Sequence, residues 1–163
     1  MSPFRPDLVD VWIFRVDEGR DPEILLLRRA PGRILPGLWQ GVSGSLEPDE
    51  RIVDGALREL QEETGFLPAD LEAFYDLDQV NQFHVAALDA VLSAAEFAAR
   101  LRPDVEPRLS HEHDAAEWMG TDDAIRRCVW PAYRESVRRI VDHLLDPQVA
   151  PWFVIPLQPR VVD

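Results

Sequence analysis

Lysine is missing from this chain of 163 residues; all 17 basic side chains are arginine. Schiff-base chemistry and the lysine of a Walker-type phosphate loop are thereby excluded. The absence itself is accounted for by genomic base composition and implies no function. Cysteine occurs once, as Cys128, so no internal disulfide can form and a cytoplasmic protein is expected. No apolar run approaches the roughly 18 residues of a membrane span, so no membrane partner is expected. No basic segment leads into an apolar one, so no secretory signal is expected either. Positive charge is scarce overall, and the formal net charge is −13. A long nucleic acid requires a basic surface and is not an expected partner. A small phosphorylated substrate remains compatible, because a bound divalent cation inverts the local field.

What is present suffices for one domain with a real core, since 46% of the residues are hydrophobic. Leu8–Val16 and Glu23–Arg29 read as strands, and the continuous apolar run of the second suits burial on both faces. Ala30–Leu38 is a loop rich in proline and glycine, followed by a short strand over Trp39–Ser43. Leu71–Leu77 and Val80–Ala86 read as two further strands. Ala87–Ala95 fits neither period, and the alanine-rich Phe97–Arg102 favours a helix by local composition. Ala115–Met119 reads as a last strand, Asp122–Arg127 as a short helix, and Pro131–Leu145 as a helix with proline in its first turn. Strands and helices alternating irregularly around one long helix suit an α/β/α sandwich with a mixed sheet.

The domain is expected over residues 1–146, with a tail over 147–163. Four prolines (Pro147, Pro151, Pro156, Pro159) keep that tail from being helical. Its apolar residues Val149, Trp152, Phe153, Val154 and Ile155 predict packing on the domain or on a second subunit. Monomer and homodimer are both open.

The organising stretch is Gly44–Phe66, GSLEPDERIVDGALRELQEETGF. Arg51–Thr64 is predicted helical, with Ile52, Val53, Ala56, Leu57 and Leu60 in one apolar stripe. Gly65 stands where a C-terminal glycine ends a helix. Glu59, Glu62 and Glu63 fall within about 100° of one another beside that stripe. Carboxylates so arranged repel by a few tenths of a kcal/mol per pair, roughly, and the helix gains nothing from it. A hard cation with oxygen ligands would relieve the repulsion, and Mg2+ is the usual one where phosphates are involved. Gly55, one turn before Glu59, could leave room for such a cation and a phosphate. Elsewhere, His111 and His113 flank Glu112, but no third histidine is near enough to suggest a zinc site. His84 and His143 read as structural or surface residues. Trp12, Trp39 and Trp118 read as core.

The spacing Gly44, five residues, Glu50, seven residues, Arg58-Glu59-Leu60, one residue, Glu62-Glu63, one residue, Gly65 resembles the Nudix box, the signature of the Nudix hydrolases. Its seven fixed Gly, Glu and Arg positions have a chance probability on the order of one in a hundred million per start site. The resemblance implies the Nudix fold over roughly Arg5–Leu145, with a strand rather than a helix just before an acidic loop near Phe97–Arg102. It implies hydrolysis of a nucleoside diphosphate linked to another moiety, with Mg2+ as cofactor and Mn2+ as the alternative. Glu59, Glu62 and Glu63 would be the metal ligands. Arg58 would orient Glu59, Glu50 would fix the loop or join the metal site, and a backbone carbonyl near Gly44 would add a ligand.

Trp39–Glu47, with Glu112-His113 and Trp118, further resembles the branch containing dihydroneopterin triphosphate pyrophosphatase, which also accepts deoxyadenosine triphosphate. That resemblance implies Glu112 as a metal ligand and Arg28 and Ser43 as substrate contacts, with Arg5 close to an N-terminal basic contact. Arg29 alternates to the other face and is not included. The implied reaction takes a nucleoside triphosphate or dihydroneopterin triphosphate to a monophosphate and pyrophosphate. The alternatives are a diadenosine polyphosphate or nucleotide-sugar hydrolase, and a non-catalytic nucleotide-binding regulator. Loss of box glutamates usually marks the last class, and none is lost here.

Overall fold

The computed structural model describes residues 3–157. Seven strands form one sheet: β1 (Leu8–Arg15), β2 (Glu23–Arg29), β3 (Trp39–Gln40), β4 (Val42–Ser45), β5 (Leu71–Val85), β6 (Ala90–Leu101) and β7 (His113–Gly120). Their order is β3-β2-β1-β6-β5, with β4 paired to β1 and β7 to β2. β1 and β6 run parallel, from Leu8 opposite Ala94 to Arg15 opposite Leu101, and the other pairs are antiparallel. The sheet is therefore mixed, and helices cover both faces.

Strand alternation decides which helix each face receives. Val9, Val11, Ile13, Leu25 and Leu27 pack with Ala56 and Leu60 of α1 (Ile52–Thr64). Trp12, Phe14, Ile24 and Leu26 pack with Ala124 of α2 (Thr121–Arg127) and Val137 of α3 (Pro131–Arg139). α1 ends where Gly65 turns left-handed at φ 76° and donates its N–H to the Gln61 carbonyl. This is the α/β/α sandwich with a mixed sheet that the resemblance implies.

Three local expectations are revised, and one ambiguity is settled. Leu71–Val85 is a single strand rather than two. Its register breaks between Asp76 and Val80, where Asp78 sits at φ 51°. Phe97–Leu101 lies in a long strand, as the resemblance implies, and not in the helix that composition alone favours. β6 lies between β1 and β5, and Ala94, Ala98 and Ala99 are buried beneath both layers. Small side chains fit that doubly covered position, and tertiary packing overrides alanine's helical propensity. β7 begins at His113, two residues early. The last helix passes into a π-helical turn at Ile140–Leu144.

The tail lies against the outer edge of β5. The Asp76 N–H donates to the Phe153 carbonyl at 2.9 Å, and the Ile155 N–H to the Phe74 carbonyl at 2.8 Å. His143 stacks on Phe153 with ring centroids 5.4 Å apart. One 3-10 turn occurs at Ala150–Trp152. Residues 158–163, Pro159 among them, lie outside the described residues. No described helix is long and apolar enough to cross a membrane.

The α3 face of the sheet also buries two acids whose pairing has no local signal in the chain. Asp10 and Glu96 stand opposite each other in the parallel register. Glu96 accepts hydrogen bonds from Trp12 Nε1 (2.8 Å), Asn81 Nδ2 (2.8 Å) and Ser136 Oγ (3.1 Å). Burial, then repulsion from Asp10, holds the Glu96 carboxyl well above the usual carboxylate range. Burial likewise raises the Asp10 carboxyl, so the pair favours holding a proton between them.

Candidate active site

α1 carries Glu59 and Glu63 one turn apart, and packing on the sheet draws both inward, to 9% and 2% exposure. Glu62 stays on the open side of the same arc. Beneath Glu59 runs β4. A Cβ at Gly44 would overlap the Glu59 carboxylate, so the glycine is there for a close approach. Gly44→Ala is expected to push that carboxylate aside and lower turnover about a hundredfold. Steady-state kinetics beside a thermal unfolding curve checks this; full turnover would refute the close-packing assignment. Gly55 is different from the expectation. A Cβ there would strike the Leu46 side chain and approach Glu50 Oε2 to 2.9 Å, so Gly55 makes room for the loop and not for a cation.

Arg58 binds the acids of the box together. Its Nε donates to Glu50 at 2.8 Å, Nη1 to Glu59 at 2.7 Å and to Glu62 at 3.3 Å, and Nη2 to Glu50 and to the Ser45 carbonyl, both at 3.0 Å. Glu50 also accepts the Glu47 N–H at 3.0 Å. The Arg58 guanidinium, then that N–H, pull the Glu50 carboxyl down to about 2. Glu50 thus secures the loop from β4 to α1.

Glu63 meets a different partner. His113 Nε2 lies 2.8 Å from Glu63 Oε2, and both side chains are buried. The Ser43 N–H also donates to Glu63. Burial, then repulsion from Glu112 and Glu59, pushes the Glu63 carboxyl up to about 9. Glu59 is likewise raised by burial, against the pull of Arg58 and with repulsion from Glu62 and Glu112. Glu112 therefore acts on both, from the segment between β6 and β7.

That segment is stapled to the end of α1. The Arg108 N–H donates to the Thr64 carbonyl at 2.8 Å, and the Ser110 N–H to the Glu63 carbonyl at 3.2 Å. Farther along, Glu106 accepts from Arg15 Nη1 and Trp118 Nε1, both at 3.0 Å. The Arg15 guanidinium lies over the Trp118 ring at 4.0 Å. The Glu112 carbonyl accepts the Ala30 N–H at 2.9 Å.

Crowded, part-buried carboxylates that raise one another's pKa fit a divalent cation with hard oxygen ligands. Among the described residues no three of them converge on one point. Glu59 is turned to Arg58 and Glu63 to His113.

The structure thus brings Gly44, Glu50, Arg58, Glu59, Glu62 and Glu63 together, with Glu112 facing them. The expected substrate contacts lie apart. Arg28 donates to Asp114 through Nε (2.7 Å) and Nη2 (3.2 Å), beside Trp39 on the α3 face. Ser43 pairs with Asp10 on that same face, its backbone N–H alone reaching Glu63. Arg5 donates to the Glu47 carbonyl at 3.0 Å, at the rim of the box loop. The arginine whose charge bears on Glu63 is Arg29, which alternation had set aside. It pairs across the ladder with His113, next to a register shift. Arg33 also comes within 3.9 Å of Glu112. His113 was visible only as a neighbour of Glu112, because its partner lies 50 residues away in sequence.

The NUDIX domain model matches residues 6–140. The chain belongs to the Nudix hydrolase family. An octanoyltransferase of Myxococcus xanthus is 38% identical over 128 residues, 76% of this Nudix chain and 34% of that protein. The chain spans less than half the length of the first curated relatives it matches. An asymmetrical bis(5'-nucleosyl)-tetraphosphatase of Rattus norvegicus is 33% identical over 103 residues, 63% of this chain and 67% of that one. The solved dihydroneopterin triphosphate pyrophosphohydrolase of E. coli shares the fold, with a TM-score of 0.71 at 23% identity, over 85% of this chain and 96% of its own. Nudix hydrolases generally need a divalent metal such as Mg2+.

Proposed function

We propose that the chain hydrolyses a phosphoric anhydride bond of a small nucleotide derivative, with Mg2+ as cofactor. The substrate we favour is a nucleoside triphosphate or dihydroneopterin triphosphate, cleaved to the monophosphate and pyrophosphate. The observation that carries this reading is the buried pair Glu59 and Glu63 facing Glu112, an acidic array that its own residues only partly neutralise. Glu59, Glu62, Glu63, Glu112 and a carbonyl near Gly44 would hold the cation. When bound, a divalent cation neutralises phosphate oxygens and lowers the pKa of water. The chain's own residues do the rest. Arg58 and Glu50 fix Glu59, His113 and the Ser43 N–H fix Glu63, and the segment carrying Glu112 closes the array from the far side. Arg29 and Arg33, on that side, supply positive charge for a polyphosphate. A cytoplasmic place suits such a substrate.

A dinucleoside polyphosphate is the second reading, favoured by the similarity to the rat tetraphosphatase over two thirds of that protein. A panel of phosphorylated substrates with Mg2+ separates the two. Pyrophosphate with a monophosphate supports the first, and two nucleotides from one dinucleoside support the second. EDTA is expected to abolish turnover and excess Mg2+ to restore it; unaltered turnover in EDTA would overturn both readings.

A further inference from the structure

The outer edge of β5 is treated differently along its length. From Phe74 to Asp76 the chain covers it with its own residues 153–155. Past the register break, no strand among the described residues pairs with the outer edge of Val80–Val85. The hairpin that follows leaves Val80 (55%), Phe83 (43%), Leu88 (62%) and Val91 (62%) exposed. Beside Val80 lies a hollow of about 450 Å3, lined by Ile52, Val53, Phe97 and Ile155 and also by the exposed acids Asp76 and Asp78.

An open edge flanked by apolar side chains is a template for another strand. Protective devices such as lysine, proline or an inward charge are lacking in Val80–Val85. Charge selects the occupant. The hairpin Val80–Ala95 contains a single acidic residue, Asp89, and no arginine, in a chain of net charge −13. A basic partner would be drawn to the acidic surface elsewhere. A second copy, which carries the same net charge, meets the least repulsion at the stretch with the fewest charges.

We propose that two copies of this chain associate by antiparallel pairing of their β5 outer edges over Val80–Val85, joining two sheets across a twofold axis. Such an interface is self-complementary, because each copy supplies the same edge. The inference does not depend on the catalytic reading, since it uses none of the box acids.

Sedimentation equilibrium at tens of micromolar tests it first. The expected species is twice the 18.6 kDa chain, and Phe83→Asp combined with Val91→Asp is expected to return it to one chain with unchanged circular dichroism. A second arm keeps the surface nearly intact. Gln82→Cys with a short bismaleimide is expected to give several-fold more covalent dimer than Glu18→Cys in the turn after β1. The native Cys128 adds little background, because it is buried and its thiol is pushed up to about 11 by burial. A wild-type chain that sediments alone, or a dimer that cross-links through Trp152→Cys and not through position 82, would overturn the proposal. Loss of folding in the double variant leaves the cross-linking arm to decide.

Discussion

Glu63→Gln is expected to cost about a hundredfold or more in turnover and, in the absence of divalent ions, to raise the unfolding temperature at pH 8. The two effects have one cause. Glu63 titrates at about 9 in the folded chain, against an ordinary 4.5, and burial is the largest reason. Between those values the folded state binds more protons than the unfolded state, so metal-free stability falls as pH rises through that window. Glutamine does not titrate, and it can still accept a hydrogen bond from His113. The variant should therefore gain on the wild type from about pH 4.5 upward and match it below. Mg2+ should stabilise the wild type and do much less for the variant. A merely damaged fold would lower turnover and stability together. Calorimetry with and without Mg2+, across pH, beside saturating kinetics, reads all of this. Wild-type turnover in Glu63→Gln would remove the residue from the metal site.

Arg58→Ala is expected to have the largest effect on stability, about 1–3 kcal/mol, discounted because the side chain keeps 23% exposure. One guanidinium serves Glu50, Glu59, Glu62 and the Ser45 carbonyl, so its loss leaves several acids facing one another. Turnover should drop about tenfold to a hundredfold through misplacement of Glu59. Arg58→Lys keeps the charge without the fork, so it should recover part of the stability and little of the turnover. Glu50 gives the sign of the pH dependence. Its folded pKa is depressed to about 2, so the stability it contributes is present above about 4.5 and lost as pH falls toward 2. The gap between wild type and Arg58→Ala should therefore be wide near neutrality and close in acid. Unfolding midpoints across pH test this; a gap independent of pH would show that Glu50 is not the partner that matters.

The box helix was legible because its signals are local: an apolar stripe, a terminal glycine, and acids at fixed spacing. β1 and β2 were legible for the same reason. The alanine-rich β6 was not legible from composition, and only the resemblance implied a strand there, because what makes it a strand is the pair of strands beside it. The two-strand reading of Leu71–Val85 failed at a kink created by pairing with β6. Within the site, Arg58 and Glu50 could be linked from the motif, but His113 could not be linked to Glu63. The ladder that aligns Arg29 with His113 exists only after β2 and β7 pair. Alternation likewise separates Arg28 from Arg29 by face without saying which face holds the acids.

The clamp of the Glu112 segment onto the end of α1 has one more consequence. Like charges are forced into proximity by bonds formed during folding, through the main chain at Arg108 and Ser110 and through the Glu106 side chain. On the proposed reading, the entropy of assembling Glu59, Glu63 and Glu112 would be spent in advance, leaving only two carboxylates to turn from Arg58 and His113. Ion uptake would then resemble unlocking a loaded spring rather than gathering loose arms, and its speed should follow side-chain rotation rather than loop closure.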